Sequence, residues 1–519
     1  MKGRLAALLL GIAALGGAAP EPEVDLIVRG GTIYTGSAAP FVGEIAVSGG
    51  RILAVGRRLR YRARRVIDAR GLVVAPGFID PHAHIGEQLA DADARTRLIP
   101  AFLMQGVTTA FIGNDGGGEP DVGAVLGRAA RRPVGINYAA FVGFGEVRRV
   151  VVGEADRAPT PAELARMRRM VAAAMCRGAF GLSTGLFYAP QSFAGTAEVA
   201  ALAREAGARG GIYDSHIRDE SSYSVGLAAA VDEAIAIGRE GRLPVNISHI
   251  KALGVDVHGQ AAAIIARIEA ARRGGQRVTA DQYPWSASGT SLAAALVPRW
   301  AQDGGRPALL RRFDDPALAA RLRTEMADNL RRRGGPASLL ITEGPHRGRT
   351  LADVASAQRA DPIAAAQAVI RVADASVASF NQTEEDIALF MRRPWVMTSS
   401  DASTGHPRAF GSFARKYAEY VVRRRVLTLR QFIERSTALP ADTFGLVGRG
   451  RLRPGAFADI VVFDPRRFAA RATYEEPTLL ASGVRAVLVN GALAVDNGAL
   501  TGAAAGRALT HTPPAGSCP

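Results

Sequence analysis

The sequence predicts an α/β fold: a (β/α)8 TIM barrel with a small β-sandwich domain formed from both chain ends and an insertion between strands 7 and 8. Two observations carry it. Eight apolar runs of strand length alternate with helical stretches between Val73 and Thr398, and segments of matching hairpin texture flank them at the two ends of the chain. The 519 residues are 48% hydrophobic and 22% charged, with 58 glycines and 28 prolines. That balance excludes fibrous and disordered classes and suits one large domain with a satellite.

In chain order, Lys2 and Arg4 precede the apolar run Leu5 to Leu15, and Gly16-Gly17-Ala18-Ala19 follows before Pro20. This reads as a cleaved signal peptide over residues 1–19, so the expectation is an exported protein, periplasmic or secreted. The apolar run is shorter than the roughly 20 residues that cross a bilayer, and no cysteine follows it to take a lipid, so no stable membrane anchor is expected. Cys176 and Cys518 are the only cysteines. Two free thiols are expected, with a single bridge as the alternative.

From Val24, short β-rich runs alternate with Gly30-Gly31 and Gly49-Gly50, and the same texture returns in Ala458 to Phe463 and Val484 to Gly491. These are hairpin signals. They place the sandwich domain at residues 20–72 and 445–519 and the barrel at 73–444. The eight barrel runs are Val73 to Ile79, Val107 to Ile112, Val134 to Phe141, Ala179 to Leu182, Gly211 to Tyr213, Pro244 to Ile247, Val278 to Tyr283 and Trp395 to Thr398. Thr160-Pro161-Ala162-Glu163 is a capping box with proline at the first helical position, and Leu164, Met167, Val171 and Ala174 then share one face until Gly178. The long stretch between the seventh and eighth runs is an insertion, about 286–345, with an arginine-rich helix from Asp314 to Arg333. It is expected to cover the site.

The formal net charge is +16, yet only Lys2, Lys251 and Lys416 among the 64 basic residues are lysines, and the arginines are scattered. The densest runs, Arg331 to Arg333 and Arg423 to Arg425, lack aromatic stacking partners or a groove-reading motif, so no nucleic-acid partner is expected. A basic surface favours anionic small molecules instead.

In a barrel of this kind, reactive groups follow the C-terminal ends of the strands. After the first run comes Asp80-Pro81-His82-Ala83-His84, after the second Gly113-Asn114-Asp115-Gly116, after the fifth His216, after the sixth His249 and after the eighth Asp401. His82 and His84 point the same way if the strand persists, because side chains alternate with period two. Each element alone is ordinary. Together, four of the eight histidines and two aspartates at strand ends suit zinc or a similar divalent ion, and metal-dependent hydrolysis is the chemistry such a set performs. The glycine-rich turn from Gly113 to Gly118 lacks the lysine and hydroxyl of a phosphate-binding loop.

Between about residues 24 and 495 the sequence resembles the N-acyl-D-amino-acid deacylases (D-aminoacylases) of the amidohydrolase superfamily. The most specific stretches are Gly77 to His84, Gly106 to Thr109, Gly181 to Leu186, Ser215 to Glu220, Ile247 to Lys251, Asp281 to Pro284 and Pro454 to Ile460. The resemblance implies a small-molecule N-acyl amino acid substrate of D configuration. It also implies Zn2+, one ion tightly bound with room for a weaker second site. By position, His82, His84, His216 and His249 look like zinc ligands, and Asp401 like the carboxylate that shuttles the water proton; a helix cap is the alternative for Asp401. Lys251, Tyr283 and Arg408 match positions that hold the substrate carboxylate, a chemically apt trio. Surface charge for Lys251 and Arg408, and barrel packing for Tyr283, are the alternatives. Tyr188 is a further substrate-contact candidate, or an aromatic loop anchor. His258, His346, His406 and His511 lack ligand-like spacing and read as surface or loop residues.

The chain departs from the family at Asp115, where better-known members carry a metal-bridging cysteine in a Gly-Asn-Cys-Gly turn. A carboxylate can bind zinc or bridge two ions in its place, or merely close the turn. Two other functions stay open: a cyclic amidase or dipeptidase, and a metal-free binding protein on the same scaffold. The first usually needs a lysine on the fourth strand, and Ala179 to Thr184 has none.

Overall fold

A computed structural model describes residues 21–518. The signal-peptide expectation for residues 1–19 lies outside the described residues.

The eight runs form one closed barrel. Its strands are β1 (Phe78–Asp80), β2 (Val107–Ile112), β3 (Asn137–Ala140), β4 (Gly181–Gly185), β5 (Ile212–His216), β6 (Val245–Ile247), β7 (Val278–Gln282) and β8 (Val396–Thr398). All neighbouring pairs are parallel, as helical crossovers require. Past β3 the chain continues as Val142–Gly143, which pairs with β4 and carries the sheet round. Beyond β8, Asp401 N donates to His82 O at 2.9 Å and His84 N to Ala402 O at 3.0 Å. Those bonds close the ring where two candidate ligands sit.

The run Val73 to Ile79 is divided. Val73–Pro76 leaves the barrel and pairs with Glu23–Ile33 and Ile460–Phe463 in the end sheet, while Phe78–Asp80 is β1. The switch falls at Pro76-Gly77: Pro76 has no N–H to donate, and Gly77 packs so closely that a Cβ there would lie 2.2 Å from Thr108 Oγ1.

The end domain is one branched nine-stranded sheet made from both chain ends. A register shift between Arg29 and Gly31 lets Glu23–Ile33 pair with Arg62–Asp68 and then Val73–Pro76 along the same edge. Its halves share an apolar core that includes Leu26, Val28, Ile45, Val47, Ile460 and Leu488. From Gly506 to His511 the tail instead lies against the N-terminal ends of β3 and β4, through Gly506 N to Val134 O and His511 N to Gly178 O.

The helix Pro161–Cys176 has the expected capping box, with Met167, Val171 and Ala174 buried. Its last residue corrects the thiol expectation: Cys176 and Cys518 form a disulfide, with Cα atoms 5.7 Å apart. The tail path brings together two residues 342 positions apart, which no local pattern could reveal.

The insertion extends beyond 286–345. It runs from Ala287 to Phe380, because the returning strand Ser376–Phe380 lies between Ala287–Ser291 and Leu339–Ile341 in a three-stranded sheet. The arginine-rich helix is Pro316–Arg332, and Leu292, Leu322, Met326, Leu351 and Ile370 belong to a separate core. No helix among the described residues is long and apolar enough to cross a membrane.

Candidate metal centre and active site

Three of the predicted site residues sit where the backbone is strained. Asp115, His249 and Asp401 have φ of 55°, 34° and 48°. Left-handed backbone at such residues costs about 1–3 kcal/mol each, and persists where surrounding contacts impose it. For Asp115 those contacts are visible. Gln191 Nε2 donates to Asp115 O at 2.9 Å while Gln191 Oε1 accepts from Gly185 N at 2.7 Å. Ser183 Oγ accepts from Gly116 N. Asn114 Nδ2 donates to Pro81 O at 3.0 Å and to Asp214 Oδ2 at 2.9 Å, tying the turn to the first and fifth strands.

The result is two ligand groups sharing one carboxylate. His82, His84, Asp115 and Asp401 form one, and Asp115, His216 and His249 the other; within each, the ligand atoms lie within 4.8 Å of one another. Asp115 Oδ1 is 3.3 Å from His82 Nε2 and 3.5 Å from His249 Nε2, and its Oδ2 is 3.3 Å from His84 Nε2. Asp401 Oδ1 is 3.2 Å from His84 Nε2. His82 Nε2, His216 Nε2 and Asp115 Oδ1 are buried without hydrogen-bond partners. Buried polar atoms are normally satisfied, so converging imidazole and carboxylate lone pairs of this kind fit a divalent ion.

Supporting groups lie beneath. Asp80 Oδ1 accepts from His82 N and Ser400 N, and Asp281 Oδ1 accepts from His249 N at 3.0 Å. Asn246 Nδ2 donates to both Asp214 and Asp281. Burial pushes the Asp80 carboxyl up to about 7 and that of Asp214 to about 6, against the hydrogen bonds they accept. Burial and Lys251 oppose charge on His249, but Glu220, Asp115 and Asp401 raise it to about 10. Asp401 is held well below the usual carboxylate range despite burial, chiefly by Arg408 and His249.

Lys251, Tyr283 and Arg408 also converge. Lys251 Nζ and Arg408 Cζ lie 5.6 and 5.1 Å from the Tyr283 ring centroid. Arg408 Nη1 is 2.7 Å from Asp401 Oδ2, at an angle outside hydrogen-bond geometry, and its Nε is unpartnered. Gly289 lies against it, and a Cβ there would come within 2.8 Å of Arg408 Nη2 and push the guanidinium aside. The Tyr188 ring lies tilted against His216, with ring centroids 4.8 Å apart, and its hydroxyl lies 3.4 Å from Thr290 Oγ1. Every predicted site residue except His82 lines one cavity of about 490 Å³ at the strands' C-terminal ends, roofed by the insertion.

Sequence reasoning passed over Glu220. It is buried, with Oε1 2.5 Å from Lys251 Nζ and 3.2 Å from His249 Nδ1, so it faces a candidate ligand and a candidate substrate group together. The signal was its place four residues after His216. His406 is a loop residue, as expected, but buried rather than at the surface, with Nδ1 accepting from Arg408 N and Nε2 facing Ala287 O. It packs the turn that starts the Arg408 helix. His258 is exposed, and His346 and His511 are half-buried, all away from the ligand groups.

Three imidazoles and two carboxylates lining a cavity at the C-terminal mouth of a barrel, with His82 buried behind them, define a metal-dependent hydrolase. The chain belongs to the amidohydrolase family, whose model matches residues 65–495. It is 34% identical to a D-aminoacylase of Alcaligenes xylosoxydans xylosoxydans, over 94% of this chain and 98% of that one. The crystal structure of N-acyl-D-glutamate deacylase from Bordetella bronchiseptica, complexed with zinc and a phosphonate mimic of the tetrahedral intermediate, superimposes with a TM-score of 0.80. The identity is 33%, covering 94% of this chain and 100% of that one. A D-aminoacylase structure with a binuclear metal centre gives a TM-score of 0.80 at 30% identity, with 94% and 100% coverage.

Proposed function

We propose that this enzyme hydrolyses the amide bond of N-acyl-D-amino acids, releasing a carboxylate and a free D-amino acid. One observation carries the reading: Asp401 touches both halves of the site, 3.2 Å from the candidate ligand His84 and 2.7 Å from Arg408 in the carboxylate cradle. An amide bond adjacent to a carboxylate spans that same short gap. The D configuration follows the relatives, a D-aminoacylase and an N-acyl-D-glutamate deacylase among them.

Zinc is the metal of this reading, and His82, His84, His216, His249, Asp115 and Asp401 would hold it. When bound, zinc polarises a carbonyl and lowers the pKa of water to about 7. Asp401 Oδ1, on the ligand side, accepts the water proton and returns it to the leaving amine, while Arg408 fixes Oδ2. Lys251, Tyr283 and Arg408 orient the substrate carboxylate, and the place of Tyr188 in the same cavity wall beside His216 supports a substrate contact. Asp115 belongs to both ligand groups, which supports a tight site and a weaker second one. The cyclic-amidase alternative is disfavoured, because β4 carries no lysine.

Export of the chain is part of the same proposal. The amino-terminal sequence pattern supports it, and so does a disulfide, which persists in oxidising compartments. A screen of N-acetyl-D- and N-acetyl-L-amino acids with zinc supplied, reading free amine, tests the reaction. Release from D substrates is expected; release from L substrates alone contradicts the stereochemistry.

A further inference from the structure

The turn that leads into Arg408 joins three parts of the molecule at one imidazole. His406 is 3% exposed, lies on the wall of the active-site cavity and has a partner for each ring nitrogen. Arg408 N donates to its Nδ1 at 3.1 Å, so the proton of the neutral ring sits on Nε2, and that N–H donates to Ala287 O at 3.2 Å. Burial and the nearby Arg408 charge push the His406 pKa well below its ordinary value, which keeps the ring neutral. Ala287 begins the insertion and pairs with Phe380, where the insertion ends. Tyr474, from the chain after Ile460–Phe463, packs edge-on against both His406 and Phe380, with ring centroids 5.2 and 4.8 Å away.

Arg408 is the first residue of the helix Arg408–Arg415, and Pro407 before it makes no side-chain cap. The first backbone N–H groups of a helix have no partner within it. His406 Nδ1 supplies that partner to Arg408 itself, whose guanidinium serves Asp401 and, in the deacylase reading, the substrate carboxylate. Further along, Ser412 Oγ donates to Arg408 O at 2.8 Å and accepts from Trp285 Nε1 at 3.1 Å, and Arg415 Nε donates to Pro284 O at 2.8 Å. Those bonds tie the body of the helix to the segment just after Tyr283. His406 holds the helix start and joins it to the insertion.

We propose that His406 is a positioning residue: bonded at both ring nitrogens, it fixes the start of the Arg408 helix against the base of the insertion and so sets the Arg408 guanidinium for the substrate carboxylate. This rests on the deacylase reading. Both nitrogens are committed to backbone groups, so the ring neither binds metal nor moves a proton in the reaction. The insertion that covers the site and the arginine that grips the substrate are thereby held in one register.

The test compares H406N, H406Q and H406F in the zinc-loaded enzyme, on the best substrate among the N-acetyl-D-amino acids. Asparagine places an acceptor where Nδ1 stands, as in an Asx turn, glutamine restores a donor toward Ala287 O, and phenylalanine keeps the ring packing without either bond. H406F should raise KM at least about tenfold, with the smaller part of the loss in kcat, and H406N should bring KM back to within about threefold of wild type. H406Q should fall between them. A ring that only fills space would lower the melting temperature and leave KM alone. An unchanged KM in H406F, or H406N no better than H406F, overturns the proposal. If H406F does not fold, H406N against H406Q decides, and a KM for H406Q at or below that of H406N overturns it. If the wild type hydrolyses none of the substrates, the deacylase reading fails. Crystal structures of wild type and H406Q then still decide the role of His406: a displaced Arg408 guanidinium is expected, and one unmoved overturns the proposal.

Discussion

Arg408 Nη1 lies 2.7 Å from Asp401 Oδ2, and both side chains are buried. The contact joins the two functions of the cavity, since Asp401 Oδ1 faces the imidazoles and the Arg408 guanidinium lies over the Tyr283 ring. A guanidinium paired with a buried carboxylate keeps that carboxylate ionised and oriented, ready to accept a proton.

That relationship separates two variants that sequence reasoning treats alike. K251M should weaken use of acylated amino acids by about 2–5 kcal/mol in transition-state terms, with a much smaller loss on an amide lacking the carboxylate. R408M should lose on both substrates, because it also removes the cation beside Asp401 Oδ2. Kinetics on the substrate pair measure this. Equal losses for K251M would place Lys251 in a structural role.

Asp115 is the carboxylate common to both ligand groups. Asparagine keeps the turn chemistry and removes the charge, so D115N should fold normally yet lose bound metal and activity together. An oxygen ligand is also less zinc-selective than sulfur, so manganese or cobalt should support activity in the wild type. Elemental analysis of folded D115N settles the point, and normal metal content there would refute the shared-ligand role.

Glu220 orients His249 from behind and holds Lys251. Loss of such a partner typically costs about 10–100-fold in metal affinity. E220Q should therefore weaken metal binding in a chelator competition and raise KM through Lys251. Metal affinity within twofold of wild type would assign Glu220 to Lys251 alone.

The Cys176–Cys518 bridge ties the tail to the helix Pro161–Cys176. Removing a native disulfide typically costs about 2–5 kcal/mol. C176S should lower the melting temperature, as should reduction of the wild type, while leaving kcat near its normal value because the tail lies opposite the active site. A melting curve unchanged by either treatment would show that the tail is held by its backbone bonds to Val134, Tyr138 and Gly178.

Continuous apolar runs of strand length and the polar residues after them made the barrel and its ligands readable, because both signals are local. His82 and His84 are two apart, and each other ligand follows its own strand directly. What stayed hidden depends on distant segments meeting. Cys518 reaches Cys176 only through the tail's path, and the insertion's limit is set by a strand returning between two others. His406 looked like a turn residue at the surface, and its partner Ala287 comes from the start of the insertion. Glu220 sat inside a recognised motif, but its partners Lys251 and His249 come from the next strand's loop.

The most direct measurement of the central claim is hydrolysis of an N-acetyl-D-amino acid by the protein before metal removal, after chelation and after titration with zinc, with D401N as the parallel variant. The account predicts that activity disappears on chelation and returns as zinc approaches stoichiometric occupancy. D401N should bind zinc at the His216–His249 side yet stay at least about a thousandfold slower. Activity that survives chelation, or zinc-loaded D401N as fast as the wild type, would contradict it.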